Sequence, residues 1–327
     1  MRRVKEYDGS PLSRRPLGET GLMVSPVGIG CAPLGDMPET FDFSVPEQRS
    51  RDTLRAVFES GGITFLDTAA SYGESEKRIG RMIEEMGGLP EGCVLATKAD
   101  RNLATGDFSG EQMRRSVYRS LDLLGLDHLQ FVHLHDPEHL REPGREPFEY
   151  MMAPGGPVEV LRGFKEEGVI RHLGVAGGPI DLLIQFVDTG LFETVMTHNR
   201  FTLIDNSAEP LLDTARSLGV GVFNAAPYGS GILAKGPDAY ARYEYREAPP
   251  EIIARATKAA SVCRNFEVPL PAAALQFSLR DKRIASTVVG MSRPERVAQT
   301  LELAQYPIPG ELWGKLDSLS GFSGTSG

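Results

Sequence analysis

Cysteine is scarce in this chain. Only Cys31, Cys93 and Cys263 occur among 327 residues, far apart and odd in number. That spacing offers neither a disulfide framework nor a zinc site. A reducing compartment is the simplest setting, so a cytoplasmic location is expected. Runs of 18 apolar residues are also missing, and no segment is expected to span a bilayer. The N-terminal stretch "MRRVKEYDGSPLSRRPLGETG" lacks the apolar core of a signal peptide. Positive charge is in deficit: 35 Lys and Arg against 44 Asp and Glu give a net charge of −9. That balance disfavours nucleic acid and anionic membranes as partners. Low-complexity tracts are absent too, and residues 1–14 and 321–327 read as loose ends.

What remains is ordinary for a globular chain, with 41% hydrophobic and 24% charged residues. The length suits one (β/α)₈ barrel with insertions, or two smaller domains. "RPLGETGLMVSPVGIG" predicts a short hairpin running into a first strand. Short apolar runs then recur: "SPVGIG", "GITFLD", "CVLATK", "LQFVHLH", "IRHLGVAG", "TVMTHN", "GVGVFNA" and "IASTVVG". Between them lie helical patterns. Leu54, Val57 and Phe58 share one face before Gly61, and Ser109 caps a segment carrying Met113, Val117, Leu121 and Leu124. Eight strands alternating with helices predict a parallel sheet, buried on both faces. Gly28, Gly30 and Gly35 are wrongly spaced for a Gly-x-Gly-x-x-Gly turn, which argues against an open dinucleotide-binding sheet. The expected fold is therefore α/β, a closed (β/α)₈ TIM barrel. It has an N-terminal hairpin and extra C-terminal helices, and residues 1–327 form one domain.

In such a barrel the loops after the strand C-termini build the active site. Four polar residues stand there: Asp67 ending strand two, Tyr72 in its loop, Lys98 ending strand three, and His135 ending strand four. Period-two alternation puts 63, 65 and 67 on one face, as it does 94, 96 and 98, and 131, 133 and 135. Asp67 and Lys98 can neutralise each other as a structural ion pair, since a buried charge without a partner costs several kcal/mol. That pairing alone does not account for Tyr72 and His135. Together the four suit proton transfer at an alcohol or carbonyl. A phenol with a pKa near 10 is only about 0.1% ionised at pH 7, and a neighbouring Lys98 ammonium favours the phenolate. His135 can orient or protonate a substrate oxygen. No Ser or Cys nucleophile with a paired His is evident.

These residues resemble the aldo-keto reductase family. The likeness runs through "LGETGLMVSPVGIGC", "FLDTAASYGESEKRIG", "VLATK", "LDLLGLDHLQFVHLHDP", "FKEEGVIRHLGVAG", "APYGSGIL" and "VVGMSRPERVAQTL". The resemblance implies a barrel closed at the bottom by the hairpin. It implies a nicotinamide cofactor held without a Rossmann fold, and a catalytic tetrad of Asp67, Tyr72, Lys98 and His135. His135 matches rather than His133 because it directly precedes Asp136-Pro137. "NRFTLID" and "FNAAPYGSGIL" resemble a subgroup that oxidises aldoses at C1 or oxidises pyridoxal. Cofactor contacts are implied at Gly30, Cys31, Asp67, His198, Asn199, Ala225, Tyr228, Ser230, Gly231, Gly290, Ser292, Arg293, Arg296 and Gln299. The chain also departs from the family pattern. Ala176-Gly177 stands where many members have Ser-Asn, His198 where they have Gln, and Ala225 where they stack an aromatic ring. Gly290 replaces a Lys common in NADPH-dependent members, which leans toward NAD; Arg293 and Arg296 keep NADP open.

The implied function is reversible hydride transfer between NAD or NADP and an aldose, pyridoxal or another aldehyde, with Tyr72 as general acid and base. The expected partner is thus a small carbonyl or sugar compound, and no motif speaks to oligomeric state. Two rival readings exist. His133-x-His135 could serve a metal-dependent hydrolase, although a barrel hydrolase places such a pair on the first strand. A cofactor-binding regulatory subunit is the other, although nothing resembles a tethering segment and the tetrad is complete.

Overall fold

The computed structural model describes residues 12–244 and 246–320. The expected loose ends at 1–11 and 321–327 lie outside the described residues. Leu12, expected to be loose, packs against the core.

Eight parallel strands close into a barrel. They are β1 (Val27–Gly30), β2 (Phe65–Asp67), β3 (Val94–Ala99), β4 (Leu129–His135), β5 (Ile170–Gly177), β6 (Thr194–His198), β7 (Gly221–Ala225) and β8 (Ile284–Gly290). β8 pairs with both β1 and β7, which closes the ring. Helices cover the outside: α1 (Glu47–Ser60), α2 (Ser75–Glu85), α3 (Gly110–Leu124), α4 (Pro157–Glu166), α5 (Ile180–Asp188) and α6 (Glu209–Ser217). Then α7 (Pro250–Asn265) and α8 (Leu270–Arg280) precede β8, while α9 (Glu295–Gln305) and α10 (Gly310–Ser320) follow it. The local signals are those in the chain. The Ser109 hydroxyl accepts the Gln112 N–H at the start of α3, and Gly61 ends α1 at φ 61°.

Alternation sorts the strand side chains into two cores. Ile29, Leu66, Leu95, Val132 and Leu134 face outward into the layer shared with the helices. Phe65, Val94, Ala96, Phe131, Met196, Phe223 and Val288 fill the barrel interior. There Phe65 stacks on Phe223 with centroids 4.2 Å apart. Arg15–Pro16 and Met23–Val24 form the expected hairpin, and its Leu17 and Val24 are fully buried in the interior core. Gly18 (φ 51°) makes this seat possible, because a Cβ there would lie 2.4 Å from the Gly219 carbonyl oxygen. The Arg15 guanidinium donates to the backbone oxygens of Leu279, Asp281 and Ile284 at the foot of β8. The bottom is thus plugged, and the opposite rim, where the strands end, is left for chemistry.

Three rim loops hold more structure than their composition suggests. Short helices span Pro38–Phe41, Pro147–Met152 and Ile232–Lys235, and a small hairpin pairs Arg242–Tyr243 with Arg246–Glu247. In the Pro-rich loop after β4, Met151 is fully buried, so hydrophobic anchoring overrides the loop-like composition. No described helix is long and apolar enough to cross a membrane. All three cysteines are free.

Candidate active site

β2, β3 and β4 deliver Asp67, Lys98 and His135 to the rim, and all three are buried, at 4%, 1% and 7% exposure. The Lys98 ammonium donates to Asp67 Oδ1 at 2.7 Å and to the Thr68 carbonyl at 2.8 Å. Burial pushes the Asp67 carboxyl up, and the Lys98 charge opposes it. Tyr72, half-buried in the loop after β2, meets both remaining members. Lys98 Nζ lies 4.7 Å from its ring centroid, and the His135 ring stands edge-on with centroids 5.6 Å apart. The structure therefore brings Asp67, Tyr72, Lys98 and His135 together.

Asp100 escaped the sequence reading. It continues the inward face of 94, 96 and 98, so period two could have found it. It is 3% exposed, and its Oδ1 sits 2.6 Å from His135 Nδ1. Its Oδ2 accepts the Ser71 N–H at 2.8 Å, beside Tyr72. Across the ring, His135 Nε2 lies 3.6 Å from Asp136 Oδ1. Burial pushes the His135 imidazolium down, but Asp100 and Asp136 push it up further, and the net direction is up. Burial likewise opposes ionisation of Asp136; His135 and His139 outweigh it and hold that carboxyl below the usual range. Asp136 carries this position at φ 46°, a left-handed backbone that Asp tolerates better than most residues.

Glu76 stands in the first turn of α2. It is 1% exposed, and its Oε1 accepts the Thr97 hydroxyl at 2.6 Å; burial pushes its carboxyl up. Arg119 binds the Ala70 carbonyl at 2.7 Å and lies 3.7 Å from Glu76. The loop bearing Tyr72 is thus pinned from β3 and from α3.

His133 takes no part in a metal-ligand pair with His135. It is fully buried one layer deeper, its Nε2 is 3.1 Å from the Thr194 hydroxyl, and burial lowers it to about 3, so it is neutral. Neither histidine belongs to a cluster of three ligand-type side chains among the described residues. Asp136, Glu138 and His198 do converge, with ligand atoms within 4.8 Å.

The residues implied for a dinucleotide spread around the same rim. Gly290, Gly30 and Asp67 stand in register across β8, β1 and β2. The Cys31 thiol is fully buried and pushed up by burial. Across the mouth, His198 pairs in register with Ala225. Asn199 is buried, its amide 3.3 Å from His198 Nδ1, and its Oδ1 accepts the Ser230 hydroxyl at 3.2 Å. Ser230 (φ 57°) and Gly231 (φ 121°) turn the chain there. Ser292 and Arg293 lead into α9, which carries Arg296 and Gln299. Among the described residues neither Arg293 nor Arg296 pairs with a carboxylate. The Arg296 charge acts on Tyr228, whose phenol burial pushes up. Two unpaired guanidiniums at a helix N-terminus fit a phosphate-bearing cofactor.

Glu138 explains the glycine at 177. Its Oε1 accepts the Gly178 N–H at 2.7 Å, and a Cβ on Gly177 would stand 2.8 Å from its Oε2. That Oε2 is buried with no hydrogen-bond partner. A side chain from the loop after β4 therefore fills the space that a larger residue at the end of β5 would take. His198 beside it is lowered by burial, against the pull of Asp136 and Glu138.

Comparison with known proteins agrees with this geometry. The model of the aldo/keto reductase family matches residues 26–320. D-threo-aldose 1-dehydrogenase of a Pseudomonas species is 31% identical, covering 90% of this chain and 94% of that protein. L-galactose dehydrogenase of Arabidopsis thaliana is 31% identical, covering 93% of each. Pyridoxal 4-dehydrogenase of Microbacterium luteolum is 28% identical, covering 93% of this chain and 96% of that protein. Among solved structures, an aldo-keto reductase from Bacillus halodurans superposes with a TM-score of 0.73 at 23% identity, over 94% and 96% of the two chains. That likeness speaks to fold, and the sequence matches speak to kinship. With its barrel, its rim tetrad and these relatives, the chain belongs to the aldo/keto reductase family, oxidoreductases that act on small carbonyl compounds with a nicotinamide cofactor.

Proposed function

We propose that this protein is an NAD(P)-dependent dehydrogenase that oxidises an aldose at C1, or a related hydroxyl or hemiacetal compound, with Tyr72 as general base and, in reverse, general acid. The observation that carries the reading is the cluster itself: a tyrosine between a buried ammonium and a carboxylate-backed imidazole, at the open end of a plugged barrel. The bound nicotinamide supplies the hydride acceptor or donor. The protein's part is proton management. Lys98, neutralised by Asp67, stabilises negative charge developing on the Tyr72 oxygen. His135 Nε2, on the side of Asp136, would hydrogen-bond a substrate oxygen.

The cofactor's own contacts follow from the donors and acceptors present. Ser292, Arg293 and Arg296 would hold its phosphate-bearing end, with Gln299 on the same helix. Gly30, Cys31 and Gly290 would let it approach through the backbone. Glu138 Oε2, a buried acceptor without a partner, and His198 would meet the carboxamide, with Asn199, Ala225, Tyr228, Ser230 and Gly231 shaping the opposite wall. NAD is favoured over NADP because Gly290 offers no side-chain charge.

Support for an aldose comes from two relatives named as sugar dehydrogenases, and pyridoxal is the next candidate. The test is a turnover screen of aldoses, pyridoxal and simple aldehydes with both cofactors. Oxidation of at least one aldose with NAD supports the reading. Cofactor binding with no turnover of any of these compounds would overturn it in favour of a non-catalytic subunit.

A further inference from the structure

Asp100 makes two contacts that no other carboxylate of the site makes. Its Oδ1 is 2.6 Å from His135 Nδ1, and its Oδ2 accepts the Ser71 N–H at 2.8 Å. Its own backbone is fixed to α3: its N–H donates to the Ser116 hydroxyl at 2.9 Å, and its carbonyl accepts the Gln112 side-chain amide at 3.0 Å. Gln112 and Ser116 are one helical turn apart, so α3 holds Asp100 at two points on one face. The carboxylate is 3% exposed, so water does not compete for its oxygens.

The chemistry of those contacts restricts what can stand at 100. Ser71 offers a backbone N–H, which only donates. An ionised carboxylate accepts at both oxygens, whereas an amide accepts at one end and donates at the other. With Oδ2 committed to Ser71, Oδ1 can take only a proton from His135 Nδ1. Neutral His135 is then protonated at Nδ1, leaving Nε2 unprotonated, 3.6 Å from Asp136 Oδ1.

We propose that Asp100 is a positioning residue for the reaction proposed above. It fixes His135 in the Nδ1–H form and ties the Tyr72 loop to the same carboxylate, so that the proton-handling phenol and imidazole are set by one anchor. An Asn at 100 breaks one of the two contacts. If its oxygen keeps Ser71, its NH₂ faces His135 and selects the opposite tautomer, the failure mode of an Asp-to-Asn change behind a catalytic histidine. The charged and titratable groups facing His135 are Lys98 on β3 and Asp100 just past its end, Asp67 on β2 and Tyr72 in the loop after it, His133 on β4 and Asp136 just past its end, and His198 on β6. Asp100 Oδ1 lies 2.6 Å from Nδ1 and Asp136 Oδ1 3.6 Å from Nε2.

The experiment is ¹⁵N-histidine NMR of the cofactor-free protein, wild type and Asp100→Asn, with kinetics of the same proteins. In the wild type the neutral His135 signal is expected to show protonation at Nδ1. In Asp100→Asn it is expected to switch to Nε2, its titration midpoint to fall because a charge that raises it is gone, and kcat to drop about 10²–10⁴-fold. The dissociation constant for the nicotinamide cofactor is expected to hold within about threefold, since no cofactor contact changes. Amide exchange at Ser71 is expected to accelerate in Asp100→Ala. A wild-type His135 protonated at Nε2 would overturn the proposal even if neither variant folds. So would an unchanged tautomer and midpoint in Asp100→Asn, or unchanged exchange at Ser71 in Asp100→Ala. The NMR readout needs no turnover, so it stands or falls separately from the oxidoreductase reading that it deepens.

Discussion

Replacing Lys98 by Met removes an ammonium that is 1% exposed and leaves Asp67, 4% exposed, without its partner at 2.7 Å. It also frees the Thr68 carbonyl. Breaking a buried pair from one side costs about 3–5 kcal/mol. With an unfolding entropy of about 2 cal/mol/K per residue, that lowers Tm by about 4–7 °C in a chain of 327 residues. The cost must depend on pH. Without Lys98, burial of Asp67 is opposed only by the more distant pull of His135, and it holds the folded pKa further above the unfolded value near 4. A group raised in the folded state keeps its contribution below the unfolded value and loses it as pH rises toward the folded one. Asp67 is raised even beside Lys98, so the Lys98→Met penalty grows only above that folded pKa, by up to about 1.4 kcal/mol per pH unit until the variant's higher pKa is passed. The double variant Asp67→Asn/Lys98→Met is expected to recover most of the loss, because neither charge is then stranded. Urea unfolding of the four proteins from pH 5 to 8 measures this. A cost below about 1 kcal/mol for Lys98→Met, flat with pH, would refute the claim that the pair is mutually neutralising.

Gly80 in α2 packs against α3, where an added Cβ would lie 2.1 Å from the Leu123 carbonyl oxygen. Gly80→Ala is expected to destabilise by about 1–3 kcal/mol in thermal unfolding, although the same change in an open helix stabilises by about 1. Leu17→Ala empties the bottom of the barrel and is expected to cost about 2–5 kcal/mol, with kcat unchanged because the site lies at the other end. Arg293→Ala and Arg296→Ala are expected to weaken NADP more than NAD in fluorescence titrations. Equal losses for both would place these guanidiniums on phosphates common to the two cofactors.

The barrel was legible because its signals are local and repeated. Leu129–His135, Ile170–Gly177 and Ile284–Gly290 coincide with apolar runs in the chain, the first followed by Asp136 and the second by Gly178. The tetrad was legible because strand-end polar residues in an apolar frame need a reason. Less was visible where a side chain acts across distance. Asp100 lay on the alternating face, but nothing in the chain says that an aspartate two residues past Lys98 will meet a histidine 35 positions on. Glu76 is a first-turn acid of α2, and its burial against Thr97 follows only from how α2 lies on β3. Glu138 and Gly177 are 39 residues apart, so their exchange of space is a tertiary fact. Met151 was hidden in a loop whose prolines and glycines masked one buried anchor.

The central claim is that Tyr72 transfers the proton that accompanies hydride transfer. Tyr72→Phe removes one oxygen and leaves the ring against Lys98 and His135. The decisive measurement is kcat of this variant on whichever aldose or aldehyde the wild type turns over, alongside the cofactor dissociation constant. The account predicts that kcat falls about 10²–10⁴-fold while cofactor binding stays within about threefold. A kcat within about threefold of wild type would contradict it.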